Sequence, residues 1–122
     1  MVNPALDVTL DAVDAERAAA FWQAALGYER LYDRYPYVVL GPSSGMAGPR
    51  VLIQSVERVS SDKTPVHLDL RVEDRAAEVA RLVALGATVR WEADDTEQGG
   101  GRWTTLADPQ GILFCVVAER SS

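Results

Sequence analysis

Apolar and polar positions alternate along Asp7-Val-Thr-Leu-Asp-Ala-Val-Asp14, and again along His67-Leu-Asp-Leu-Arg-Val-Glu-Asp74. A period of two predicts a half-buried strand. Each strand runs into an Asp, a favoured helix N-cap because its carboxylate accepts backbone N–H groups that the first helical turn leaves unpaired. The pattern then changes to a helical period. Ala18, Phe21, Trp22, Ala25 and Leu26 form an apolar stripe after Asp14. Ala76, Val79, Ala80 and Val83, with Leu82 beside them, form the matching stripe after Asp74. Each stripe predicts a helix with one buried face, and Phe21 and Trp22 are expected in the core. Both segments end in Leu-Gly (Leu26-Gly27 and Leu85-Gly86), where glycine tolerates the left-handed conformation that closes a helix.

Three short strand-like runs follow each helix, at 28–33, 37–41 and 50–56, and at 88–92, 102–107 and 112–118. Gly/Pro/Ser-rich clusters at 41–49, 60–64, 95–101 and 108–111 mark the loops between them. The order strand-helix-strand-strand-strand is thus given twice. The expected fold is α+β, with two βαβββ modules at about 1–59 and 60–122. Each half is too small to bury its own sheet face, so both are expected within one domain. Side chains on a strand point alternately to opposite faces. Val8, Leu10 and Ala12, and likewise Leu68, Leu70 and Val72, are expected under the helices. Asp7, Thr9 and Asp11, with His67, Asp69 and Arg71, then face solvent or a concave surface shared between the halves.

Composition removes several classes of function. Eighteen acidic residues against 12 basic ones give a formal charge of −6. That field repels phosphate backbones and anionic membrane surfaces, so no nucleic-acid or membrane partner is expected. The single cysteine, Cys115, excludes an internal disulfide framework. No apolar run approaches the ~20 residues of a membrane helix. The N-terminal residues lack the features of a signal peptide, and a cytoplasmic location is expected. The Gly99–Gly101 run does not match a phosphate-binding loop and reads as a hairpin or lid.

The paired modules, the Asp14–Tyr28 helix with its Phe21-Trp22 pair, the His67-Leu68-Asp69 strand and the segment Gly100–Cys115 resemble the vicinal oxygen chelate superfamily, and within it the bacterial glyoxalase-like branch. The resemblance covers nearly the whole chain. It implies a curled eight-stranded mixed sheet with a central cup, a small-molecule ligand in that cup between the modules, and a homodimer. The superfamily includes glyoxalase I, methylmalonyl-CoA epimerase, extradiol dioxygenases and metal-free bleomycin-binding proteins, so the fold alone selects no chemistry.

The resemblance also implies metal ligands, usually His and Glu, on the first and last strands of each module. The matching positions are Asp7, which keeps an oxygen ligand; Gln54, a neutral amide; His67, retained; and Cys115, where a Glu is usual. One ligand survives outright. The expected function is therefore small-molecule binding without a full metal site, with Asp7, His67, Asp69, Trp103 and Cys115 contacting the ligand. An alternative is a divalent-metal-dependent lyase, isomerase or dioxygenase. It would use zinc, nickel, manganese or iron on His67, with Asp7, Gln54 and Cys115 as co-ligands. A third is a metal-free protein that sequesters an antibiotic. Plainer roles stand beside these. His67, the sole histidine, also reads as a hydrogen-bonded strand residue. Cys115, flanked by Phe114, Val116 and Val117, also reads as a small buried apolar group with an inert thiol. Trp103 either walls a pocket or packs in the sheet.

Overall fold

A computed structural model describes residues 4–58, 65–94 and 102–118. The expected loops at 60–64 and 95–101, including the Gly99–Gly101 run, lie outside the described residues. The elements follow the doubled order: β1 (Ala5–Ala12), α1 (Ala15–Leu26), β2 (Glu29–Arg34), β3 (Tyr37–Gly41) and β4 (Arg50–Ser55), then β5 (Val66–Val72), α2 (Arg75–Ala84), β6 (Thr88–Asp94), β7 (Arg102–Ala107) and β8 (Leu113–Ala118). Eight strands of mixed pairing and two helices among the described residues make the α+β fold that the sequence predicts. None of the described helices is long and apolar enough to cross a membrane.

The chain divides into two compact units, one over Asp7–His67, the other from Leu68 on together with the leading end of β1. The division falls inside β5, which is a continuous strand. The strand order of the first module is β2-β3-β4-β1, and that of the second is β6-β7-β8-β5. In each, the module's first strand pairs parallel with its last, and the other pairings are antiparallel. The duplication extends to a defect. β2 shifts register against β3 between Arg30 and Tyr32, and β6 shifts against β7 between Val89 and Trp91. A one-residue shift of this kind reverses which face the following side chains occupy.

Local chemistry sets the element ends. The Asp14 carboxylate accepts from the Arg17 N–H at 3.1 Å, and Asp74 accepts from Ala77 at 3.0 Å, so both expected caps are made. Gly27 closes α1 at φ 69°, a conformation that costs a residue with a Cβ. Between β7 and β8, Asp108 Oδ1 accepts from the Gln110 and Ile112 N–H groups at 2.8 and 2.9 Å, which folds the 108–111 loop into a tight turn.

The first module's core gathers Val38, Leu40, Val51 and Ile53 around Ala19, with Leu10, Ala12, Ala15, Ala18 and Trp22 packed against them. Leu10 and Ala12 thus lie under the helix, as alternation predicts. The helical stripe is rotated from the expected one. Its buried line is Ala15, Ala18, Ala19 and Trp22, while Phe21 is 62% exposed and meets Trp22 edge-on with ring centroids 5.2 Å apart. The small side chains of Ala15, Ala18 and Ala19 let α1 approach the sheet closely, and Phe21 does not fit beneath it. The second helix departs further. Ala76, Ala80 and Val83 are exposed, and the half-buried positions include Arg75, Glu78, Val79 and Leu82. Arg75 donates to Thr104 on β7 at 3.0 Å, and Arg81 pairs with Glu78. Leu68, expected under α2, is also exposed.

A charged cluster ties α1 to β2. Arg30 donates to both Glu16 oxygens (2.6 and 2.8 Å) and to both Asp33 oxygens (2.7 Å each). Hydrogen bonding to Arg30 holds the Glu16 and Asp33 carboxyls below their ordinary values. A depressed folded-state value contributes stability that is complete above the unfolded value, near about 4, and is lost as pH falls through the lowered one. Between pH 6 and pH 3 the wild type should therefore lose more stability than Arg30→Gln does, by urea titration at each pH. At α1, Ala19→Leu should cost about 1–3 kcal/mol by overpacking, whereas Phe21→Ser should change stability by less than about 1 kcal/mol; thermal unfolding checks both.

Candidate functional site

Register fixes which side chains share a face. In the first module Asp7 pairs with Arg50, Thr9 with Leu52 and Asp11 with Gln54, and β3 continues these rows with Val39 opposite Leu52 and Tyr37 opposite Gln54. These residues lie on the face turned away from α1. Part of that polar face is withdrawn from water: Asp7 is 1% exposed and Thr9 is equally buried.

A buried carboxylate needs a cation or several donors. Asp7 has Arg50. The guanidinium Nε and Nη2 donate to the two Asp7 oxygens at 3.1 and 2.7 Å, a bidentate pair that fixes both side chains. Arg50 Nη1 donates to the Tyr32 hydroxyl at 3.1 Å. The hydrogen bonds that Arg50 donates to Asp7 are the main cause of an Arg50 pKa raised above its ordinary value, so the cation stays charged. Tyr32 reaches this face because of the register shift in β2. Arg30 lies opposite Leu40 on the helix-covered side, and Tyr32, two residues on, lies opposite Val39 on the other.

In the second module Asp69 pairs with Cys115, Cys115 with Thr105, and Arg71 and Trp103 both pair with Val117. His67 is two residues before Asp69 on β5 and shares its face. The Arg75 bond to Thr104 marks the opposite face as the one under α2. His67, Asp69 and Cys115 come together, each offering a ligand atom, with all these atoms within 4.8 Å of one another. Asp69 is 9% exposed. The Cys115 sulfur lies 3.4 Å from the Thr105 hydroxyl. A histidine beside a carboxylate and a thiol can bind a soft divalent metal or move a proton.

The five expected ligand-contact residues thus divide. His67, Asp69 and Cys115 form one cluster, and Trp103 lies half-buried on the same face. Asp7 is outside that cluster, with its carboxylate on Arg50. Gln54 stands across from Asp11, one of whose oxygens is buried without a hydrogen-bond partner. Alternation alone did not single out Arg50, Tyr32, Trp91 or Thr105. Thr105 was recoverable from the parity of β7, whereas Tyr32 and Trp91 were hidden by the register shifts. A cleft of about 560 Å³ lies elsewhere in the first unit, lined by residues that include Asp14, Glu16, Asp33, Tyr35 and Tyr37. Its carboxylates are engaged in the α1 cap and the Arg30 cluster.

The glyoxalase-like domain family matches residues 7–117, across both modules. The chain belongs to this family. A search of curated proteins found no match. Among solved structures, a Streptomyces coelicolor methylmalonyl-CoA epimerase in complex with 2-nitronate-propionyl-CoA is 17% identical, with a TM-score of 0.68 and 99% of each chain covered. A methylmalonyl-CoA epimerase from Mycobacterium tuberculosis is also 17% identical, with a TM-score of 0.67, 98% of this chain and 89% of that one covered. A glyoxalase/bleomycin resistance protein/dioxygenase superfamily member from Vibrio splendidus 12B01 is 16% identical, with a TM-score of 0.63 and coverage of 95% and 99%. At these identities the likeness is one of fold, the fold of the vicinal oxygen chelate superfamily.

The four-position metal set that the resemblance implies fits this chain in one half only. In the first module the carboxylate at the leading position is taken by a guanidinium, and Gln54 offers a neutral amide. In the second, His67 and Cys115, joined by Asp69, supply zinc-type donors. Tetrahedral zinc ligands stand about 3.5 Å apart, so the trio would have to contract from its 4.8 Å spread.

The Asp7–Arg50 pair yields a stability test. Asp7→Ala strands the partly buried guanidinium and should cost about 3 kcal/mol, the low end for a broken buried pair because Arg50 keeps some contact with water. Asp7→Ala with Arg50→Met should recover most of that loss, as measured by urea denaturation.

Proposed function

We propose that this glyoxalase-like protein binds a small molecule on its polar sheet face, through His67, Asp69, Trp103 and Cys115, and works without the four-ligand metal site. Asp7 does not join that set, because it holds Arg50 in place within the first module. The observation that supports this most directly is the bidentate Asp7–Arg50 pair. A carboxylate whose two oxygens already bind a cation of the chain is a poor ligand for a second one, because like charges repel in a site withdrawn from water. A fold neighbour solved with 2-nitronate-propionyl-CoA supports the choice of a small-molecule ligand. Two half-buried or buried polar groups, His67 and Asp69, with an aromatic wall at Trp103, match what small-molecule sites use. A homodimer is part of the proposal.

A second reading rests on the His67–Asp69–Cys115 cluster. Here the trio holds one divalent ion, zinc by donor type, and that ion would supply a Lewis acid for lyase or isomerase chemistry. His67 and Cys115 would hold it and Asp69 would complete the set.

Elemental analysis separates the two. Protein purified without chelator, then titrated with zinc, nickel and manganese, should carry well under one equivalent of any of them. His67→Ala should leave that content unchanged. One equivalent of metal, lost in His67→Ala, overturns the metal-free proposal and supports the second reading.

A further inference from the structure

A guanidinium carries five N–H donors. Arg50 spends two on Asp7 and one on the Tyr32 hydroxyl. Two remain, and its side chain keeps 23% exposure. The Tyr32 oxygen accepts from Arg50, so the phenol proton is itself available to donate, and Tyr32 is about half exposed. The result is three donors beside one another on the α1-distal face of the first unit. The arrangement is rigid at its base, because Arg50 is clamped by a carboxylate with 1% exposure. Rigid donors lose little entropy when an acceptor arrives.

From this geometry we infer that Arg50 and Tyr32 form a binding subsite for a carboxylate group. The argument does not use the His67 cluster, and it shares with the function proposed above only the Asp7–Arg50 pair. A planar carboxylate matches the spacing of two parallel guanidinium N–H groups, and the phenol hydroxyl adds a third bond. Charge selects a monoanion over a dianion. Asp7 cancels the charge of Arg50, so the subsite offers donors with little net positive field, and the chain as a whole carries −6. A phosphate dianion would need more positive charge than the pair supplies. Asp7 is here a positioning residue: it fixes the plane of the guanidinium and leaves its outer edge free.

The test uses the full chain and three probes of similar size: propionate, propionamide and inorganic phosphate. Binding is read from the NMR signals of the Arg50 Nε–H and of the Tyr32 ring. Propionate should shift both saturably, and propionamide, which lacks the charge, should not. Tyr32→Phe should weaken propionate binding by about tenfold through loss of one charge-assisted hydrogen bond. The double variant Asp7→Asn with Arg50→Gln, which leaves no stranded charge, should abolish it. Unfolded variants are recognised by their amide spectra, and Tyr32→Phe, which changes a half-exposed residue, gives the decisive comparison. The inference fails if propionate produces no saturable shift, if Tyr32→Phe binds it as well as the wild type, or if propionamide or phosphate binds as tightly as propionate.

Discussion

Side chains of a strand alternate between two faces, and a helix can cover only one of them. From this constraint the rest of the structure follows. In the first module α1 takes the apolar row, and in the second α2 covers the face that carries Thr104; in both, the other side gathers polar side chains that neighbouring strands align into patches. In the first module the patch is Asp7, Arg50, Tyr32, Asp11 and Gln54; in the second it is His67, Asp69, Cys115, Thr105 and Trp103. Neither patch has the chemistry of a surface. Asp7 and Asp69 are withdrawn from water, and burial turns a routine acidic side chain into one that must be matched by a partner.

The two patches meet that demand in different ways. The first uses a cation supplied by the chain, in a bidentate geometry that engages both oxygens of the carboxylate. The second sets imidazole, carboxylate and thiol side by side. The modules therefore share a scaffold, down to matching parallel and antiparallel pairings, and have diverged in the chemistry of the displayed face. Because Arg50 is covalently part of the chain, neither chelation nor metal scarcity removes the charge that organises the first face.

Much of the scaffold was legible in the sequence because it is encoded locally. Asp14 and Asp74 cap as expected, Gly27 closes α1, and the strand runs fall within a residue or two of their observed ends. The buried stripe of α1 was misplaced because Phe21 and Leu26 are more hydrophobic than Ala15 and Ala19, yet close approach to a sheet favours the smaller residues. The inner side of α2 was missed because its half-buried positions include Arg75 and Glu78, whose charges are met by Thr104 and Arg81, and no apolar period reveals such pairs. The proximity of Cys115 to Asp69 depends on the register of β8 against β5, and the pairing of Asp7 with Arg50 spans 43 positions, so neither is visible to a window sliding along the chain.

The outer strand of the first module shifts register near Leu31. The shift turns Arg30 to α1 and Tyr32 to the other face, although two residues of a regular strand would share one. The same offset at Arg90 puts Val89 opposite Leu106 and Trp91 opposite Thr105. Both offsets lie in the outermost strand of their module, where an added residue disturbs only one neighbour. A lineage carrying this architecture could thus gain or lose one codon there and exchange the whole outward set of that strand for the inward set. The hydrophobic interior beneath would be left intact, so new ligand preferences would be open to it by insertion as well as by substitution.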